Sequence, residues 1–167
     1  MIDHLTLRLA TRADSAQIAA MSRDLIERGL GWSWTPRRVL RSIGDAHTNV
    51  VVALENGQGG GPRLTGFGIM KYHDDEAHLM LLAVREADRR LGIGSALVTW
   101  LEKAALVSGV GQVYLETRVR NLQARAFYRS AGYREVQTVP GYYQGVEPCV
   151  RMAKDLWLDR GMTEDFT

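Results

Sequence analysis

Near the middle of the chain, five apolar residues in a row, Met80-Leu-Leu-Ala-Val84, lead into the turn Arg89-Arg-Leu-Gly92-Ile-Gly94-Ser95. From that turn onward Ile93, Leu97, Trp100, Leu101, Ala104 and Val107 recur at helical spacing, with Glu102 and Lys103 off the stripe. An unbroken apolar run of strand length reads as a buried central strand, and the stripe reads as an amphipathic helix. A strand feeding a helix through a glycine turn points to an α/β chain. It also marks a place for an anion. The first N–H groups of a helix lack partners within it, the dipole favours negative charge there, and glycine lets the backbone approach phosphate oxygens. Two common nucleotide turns do not fit. A dinucleotide fingerprint needs a small residue where Leu97 stands, and a phosphate-loop lysine should follow the last glycine, where Ser95 stands. On Gly-x-Gly alone, a helix start without any ligand remains an equal alternative.

The flanks supply the rest of the sheet. Leu5, Leu7 and Leu9 alternate as a short strand, and Asp14 is placed to cap a helix carrying Ile18, Met21, Leu25 and Ile26. Gly29-Leu-Gly-Trp-Ser-Trp34 breaks that helix, and Thr35-Pro36 starts a second one through Leu40 and Ile43. Val50–Leu54 and Leu64–Met70 read as strands joined by a glycine-rich loop after Asn56-Gly57. Val113–Thr117 is a further strand, Leu122–Ser130 a helix closed by Ala131-Gly132, and two strands follow near Tyr133–Thr138 and Cys149–Lys154. The sum is seven strands and about four helices in one domain over 1–167, with a core of about 5–156 and a polar tail over 157–167.

Composition narrows the partners. The net charge of +2 gives no reason to expect nucleic acid, yet 18 of the 21 basic residues are Arg, whose planar fork suits phosphate and carboxylate groups. No apolar run approaches the roughly 18 residues that span a bilayer, so no membrane partner is expected. His4, His47, His73, His78 and the single Cys149 lack zinc-ligand spacing, so no metal is expected. One cysteine and a start without a basic-plus-apolar leader predict a cytoplasmic protein, either monomer or homodimer.

Arg89-x-x-Gly92-x-Gly94 resembles the acyl-CoA pyrophosphate motif of the GNAT superfamily of N-acetyltransferases, and Asn121-x-x-Ala124-x-x-Phe127-Tyr128-x-x-x-Gly132-Tyr133 resembles its second motif. The resemblance implies an α+β fold whose mixed seven-stranded sheet splays between strands 4 and 5. It also implies acetyl-CoA as co-substrate, gripped by Arg89, Arg90, Leu91, Gly92, Ile93, Gly94 and Ser95, with Leu82, Ala83 and Val84 pairing along the pantetheine arm. The chain departs from the pattern at Glu86, where Pro is frequent, and at Asp88, where an aromatic is frequent. A closer similarity, through Glu76–Val84, Leu115–Asn121, Gly141-Tyr142-Tyr143 and Val150-Arg-Met152, is to the bacterial ribosomal-protein alanine N-acetyltransferases. That branch implies a protein or peptide N-terminus as acceptor, Glu116 as general base and Tyr128 as general acid.

The residues themselves leave alternatives open. Tyr128 has an ordinary pKa of about 10, near that of a thiol leaving group, but an aromatic there can also simply pack. Asn121 lies seven residues before Tyr128 and can cap the helix or hold a cofactor amide. Glu116 can act as base or pair with Arg118 or Arg120, and Glu76 and His78 are rival bases. Tyr142 and Tyr143 can line an acceptor groove opposite Trp32 and Trp34, or all four can pack. A small-molecule amine acceptor, or acyl-CoA binding without turnover, are the other functions open to such a chain.

Overall fold

The computed structural model describes residues 4–57 and 59–158. Its element order is β1 (Leu5–Leu9), α1 (Ser15–Met21), α2 (Pro36–Gly44), β2 (Thr48–Asn56), β3 (Pro62–Tyr72), β4 (Glu76–Val84), α3 (Ile93–Val107), β5 (Gln112–Arg118), α4 (Leu122–Ser130), β6 (Arg134–Tyr143) and β7 (Glu147–Asp155). The strands form one mixed sheet in the order β1-β2-β3-β4-β5-β7-β6, in which β4 and β5 are parallel. All seven expected strands are present, and four α-helices accompany them. The chain forms two compact units, one of residues up to Lys71 with Met80–Leu101, the other of Tyr72–Leu79 with residues from Glu102 onward. Most of the polar tail expected over 157–167 lies outside the described residues.

In the first unit, Ile18, Val39, Val50, Val52, Phe67, Ile69 and Ala83 bury together as the core. The helix α3 lies tight on the sheet because β3 carries Gly66 and Gly68 where it passes. A Cβ at Gly66 would come within 2.8 Å of the Ala83 carbonyl oxygen and 3.2 Å of Leu97 Cδ1, and one at Gly68 within 2.9 Å of Leu101 Cδ1. The buried stripe of α3 is Ile93, Leu97, Val98, Leu101 and Ala105, whereas Val107 is 89% exposed. Of the expected stripe Ile93, Leu97 and Leu101 are buried, Trp100 and Ala104 are half-buried, and Val107 falls outside it where the helix runs out into a Gly109 turn.

Two helix starts differ from expectation in an instructive way. Thr35 does cap α2, its hydroxyl accepting from Arg38 N at 3.4 Å. Asp14 does not cap α1: its carboxylate accepts from Thr11 N at 2.7 Å and from Arg8 at 2.8 Å, bracing the preceding turn. The first helix is also shorter than its periodicity suggests. After Met21 it widens into a π-type turn over Ser22–Ile26, in which Glu27 N donates five residues back to Ser22 O at 2.8 Å.

In the second unit the parallel ladder runs from Glu76 opposite Gln112 to Leu79 opposite Leu115, and β7 pairs with β5 from Gln112 opposite Asp155 to Arg118 opposite Cys149. Alternation buries Val113, Leu115 and Thr117 on one face and leaves Tyr114, Glu116 and Arg118 half-buried on the other. The helix α4 ends as expected: Gly132 is left-handed, Tyr133 N reaches Tyr128 O at 2.9 Å, and Gly132 N reaches Arg129 O at 3.0 Å.

Candidate active site

The turn of the first unit has a backbone arrangement that can receive an anion. Arg85 ends β4 tied to β3, its N donating to Thr65 O at 2.9 Å and its Nε to Leu64 O at 2.7 Å. A single 3-10 turn, Glu86–Asp88, follows. Then Arg90 and Gly92 both adopt left-handed backbone, with φ of 65° and 83°. A branched or long side chain rarely takes that conformation, and such strain concentrates at functional turns. Residues 89–92 are exposed, and the first helical bond is Ala96 N to Gly92 O at 3.0 Å. The N–H groups of Ile93, Gly94 and Ser95 thus stand at the open end of a fifteen-residue helix. Among the strand residues, Ala83 is buried and Leu82 and Val84 are half-buried, and the Val84 carbonyl already accepts from Arg89 Nε at 3.2 Å.

The second unit brings a row of polar side chains onto one sheet face. His78 on β4 lies opposite Tyr114 on β5, and its ring stacks flat on that tyrosine, with centroids 4.3 Å apart. Two residues on, Glu116 shares the face of Tyr114, and its partner across the ladder to β7 is Arg151. His78 Nε2 meets Glu116 Oε2 at 2.5 Å, and Arg151 Nε donates to Glu116 Oε1 at 3.1 Å. Both carboxylate oxygens are therefore engaged. Burial pushes the Glu116 carboxyl up, but the His78 hydrogen bond and charge, joined by Arg151, more than offset it and hold the group below its ordinary range. His78 turns Nε2 to the carboxylate, and its Nδ1 has no hydrogen bond among the described residues. Glu76, two residues earlier on β4, is exposed.

Tyr128 is 8% exposed, packed edge-on by Phe127 and Tyr133. Burial pushes its phenol well above the ordinary value of 10. Its hydroxyl makes no hydrogen bond among the described residues, yet it is not among the fully enclosed unpaired atoms. Asn121 caps α4, its Oδ1 accepting from Ala124 N at 3.1 Å, which leaves the amide NH₂ unused among the described residues. The acid and cap candidates thus sit on α4, in the same unit as the His78–Glu116 pair.

Tyr142 and Tyr143 owe their place to a bulge. Val139 pairs with Cys149 and Tyr143 with Glu147, so Pro140, Gly141 and Tyr142 together face Pro148 alone. Gly141 takes a φ of 64° there, and the hairpin closes over the three residues Gln144, Gly145 and Val146, with Gln144 and Gly145 left-handed and Val146 N reaching Tyr143 O at 3.0 Å. The two rings meet edge-on at 4.9 Å, with Arg118 over Tyr143 at 5.9 Å. Burial raises both phenols, with further contributions from neighbours including Glu116. The Trp-rich loop, in the first unit, splits its two rings. Trp34 is buried in the core with Arg38 stacked over it at 3.8 Å, while Trp32 is 40% exposed under Arg23.

The profile of the acetyltransferase (GNAT) family matches residues 19–133, which takes in the glycine turn, the β5 carboxylate and the α4 tyrosine. The chain belongs to the GNAT acetyltransferase family. An N-alpha-acetyltransferase of Sulfolobus acidocaldarius is 31% identical over 157 residues, 90% of this chain and 92% of that one. An uncharacterised N-acetyltransferase of Methanocaldococcus jannaschii is 36% identical over 93 residues, 55% of this chain and 60% of its own length. The crystal structure of the ribosomal-protein-S18-alanine N-acetyltransferase from Escherichia coli shares the fold with a TM-score of 0.73 at 24% identity, covering 91% of this chain and 94% of that one.

Within this GNAT domain, three groups of residues escape sequence reading. Glu27 is buried at 6% exposure and collects Ser33 N at 2.7 Å, Ser33 Oγ at 2.6 Å, Ser22 Oγ at 2.9 Å and Trp34 N at 3.3 Å. It staples the Trp loop to the π-type turn. Arg151 fixes Glu116, and Arg63 binds Asp88. Each is a lone charged residue whose partner lies across a strand, a turn or a loop, so no local pattern announces it. Among the described residues no helix is long and apolar enough to cross a membrane, and no group of three His, Cys, Asp or Glu is arranged to hold a metal.

Proposed function

We propose that this chain transfers the acetyl group of acetyl-CoA to an amine, and that its acceptor is the α-amine of a protein or peptide N-terminus. The contact between His78 Nε2 and Glu116 Oε2 carries the catalytic reading. A carboxylate on one imidazole nitrogen orients the ring and leaves the other nitrogen for the substrate, so His78 Nδ1 is the proton acceptor in this reading and Glu116 the group that orients it. An α-amine titrates near 7.7–8.0, against about 10.4 for a lysine side chain, so an imidazole base suffices for the former.

In this reading Arg89, Arg90 and the N–H groups of Leu91 to Ser95 hold the pyrophosphate, and the backbone of Leu82 to Val84 guides the pantetheine arm. The Asn121 amide NH₂ adds a donor toward the cofactor. The neutral amine attacks the thioester carbonyl, and backbone donors near Val84 stabilise the oxyanion. A C–N bond forms, the amine proton passes to His78 directly or through water, and the C–S bond breaks. Tyr128 protonates the departing thiolate. Tyr142 and Tyr143, at the bulge of β6, hold the acceptor backbone, and Trp34, buried in the core of its own unit, supports its loop without touching substrate. The acceptor class is supported by the name of the Sulfolobus acidocaldarius relative. Incubation with acetyl-CoA and a panel of peptides and free amines, read by mass spectrometry, tests the proposal. Acetylation of peptide N-termini is expected; rapid acetylation of free amines with no peptide modified would reject the acceptor, and no acetylation of any amine would reject the activity.

A further inference from the structure

Asp88 is one of the two residues, with Glu86, at which the glycine turn departs from the family pattern, and the structure gives this departure a physical reason. Its side chain is buried, one residue before the exposed turn. A buried carboxylate so close to an anion site opposes anion binding unless it is neutralised. Arg63 neutralises it with a two-pronged grip, Nη2 to Oδ1 at 2.7 Å and Nη1 to Oδ2 at 3.0 Å, and the same Nη2 reaches Glu55 at 2.8 Å. Arg63 is itself held by the sheet, since it pairs with Glu55 across the β2–β3 ladder. The backbone on the other side is tied down as well, with Asp88 N on Arg85 O at 2.9 Å and Arg85 on Leu64 O and Thr65 O. Two residues later comes left-handed Arg90. A strained residue of that kind persists only when its surroundings over-determine it.

We infer that Arg63 and Asp88 are positioning residues for the pyrophosphate of acyl-CoA. The pair cancels the charge under the turn and fixes the direction in which the chain enters Arg90, so that the N–H groups beyond it converge on the diphosphate. This rests on the acyl-CoA reading above.

The test compares two acyl donors, acetyl-CoA and S-acetylpantetheine, which lacks the pyrophosphate, in wild type, Arg63→Met, Arg63→Lys, Asp88→Asn and the double variant Arg63→Met/Asp88→Asn. Calorimetry with coenzyme A and thermal melts accompany the kinetics. Losing a charge-assisted pair predicts that Arg63→Met raises the coenzyme A Kd and the acetyl-CoA KM by roughly tenfold or more, with kcat nearly unchanged. S-acetylpantetheine kinetics should not move. Arg63→Lys should recover part of the affinity, having the charge without the fork. The double variant, rid of the unpaired carboxylate, should bind coenzyme A more tightly than Arg63→Met. Equal losses with both donors, or a folded Arg63→Met that binds coenzyme A like wild type, overturn the inference alone. If Arg63→Met does not fold, Asp88→Asn decides in the same way, its expected result being a rise in acetyl-CoA KM confined to that donor. A wild-type protein without coenzyme A affinity overturns the underlying reading, and this inference with it.

Discussion

Replacing Glu116 by Gln keeps the shape of the side chain and removes its charge, which separates its structural from its chemical role. The carboxylate is 6% exposed and serves two partners, His78 at 2.5 Å and Arg151 at 3.1 Å. Hydrogen bonds to a charged group contribute about 1.5–3 kcal/mol each, but burying the carboxylate costs several kcal/mol, and Arg151, at 33% exposure, stays partly hydrated. Gln still offers one carbonyl oxygen to one of the two partners. A net loss of about 1–3 kcal/mol near pH 7 follows. The pH dependence has a definite sign. The folded-state carboxyl is held below its ordinary value of 4.5 because His78 and Arg151 outweigh the burial that raises it. Its contribution is therefore complete above that value and fades as pH falls through the lower folded-state value, whereas Gln does not titrate. Urea unfolding of wild type and variant should show a stability gap that narrows below pH 4.5. The same pair can be read kinetically. If Glu116 acts through His78, Glu116→Gln and His78→Ala each lower kcat/KM by about 10²-fold or more, and the double variant falls little further, because two groups working as a unit are not additive. A gap that stays constant or widens toward acid pH would refute the electrostatic account. Losses that multiply in the double variant would refute the shared role.

Tyr128→Phe removes a hydroxyl that bonds nothing among the described residues, so unfolding free energy should change by no more than about 0.5 kcal/mol. Its kcat should nonetheless fall by about 10²–10⁴ with coenzyme A affinity retained, as steady-state kinetics and calorimetry would show. Gly66→Ala puts a methyl 2.8 Å from a backbone oxygen, which cannot rotate away, and should destabilise by about 1–3 kcal/mol in denaturant titration. Glu27→Ala leaves Ser33 N and Trp34 N without their shared acceptor. A loss of about 2–4 kcal/mol is expected in urea titration, with a change in tryptophan fluorescence at native conditions.

Local chemistry is what the sequence makes legible. The Gly92 turn, the Thr35 cap, the Ala131-Gly132 stop and the alternation of β5 each depend on residues within a few positions, and each is found in the fold. The π-type turn after Met21 was invisible because Leu25 and Ile26 keep an apolar periodicity that a continuous helix would also show. The bulge that aims Tyr142 was invisible because the mismatch is between two strands: three residues of β6 face one of β7, and only the pairing reveals it. The contact between His78 and Glu116 is not legible for the same reason. His78 and Glu116 are 38 residues apart, and they meet because the parallel ladder begins with Glu76 opposite Gln112. Periodicity says that Tyr114 and Glu116 share a face. It does not say which β4 residue faces them, and a slip of one residue would turn His78 to the other side.

That register also changes the chemistry expected of each group. Taken singly, Glu116 is a carboxylate in search of a proton and Tyr128 a phenol whose ordinary pKa matches a thiol. In the fold Glu116 is held below its usual range, which makes it a poor proton acceptor, and this is what favours the proposed reading in which it orients His78 and the imidazole takes the proton. Tyr128 is pushed up by burial, which by itself makes it a weaker acid. The match with a thiolate survives only if the sulfur is released into the same poorly solvated surroundings, where desolvation raises its proton affinity as well. In the proposed reaction the Tyr128 proton therefore passes to a thiolate formed as the C–S bond breaks, and the kinetics of Tyr128→Phe test that step.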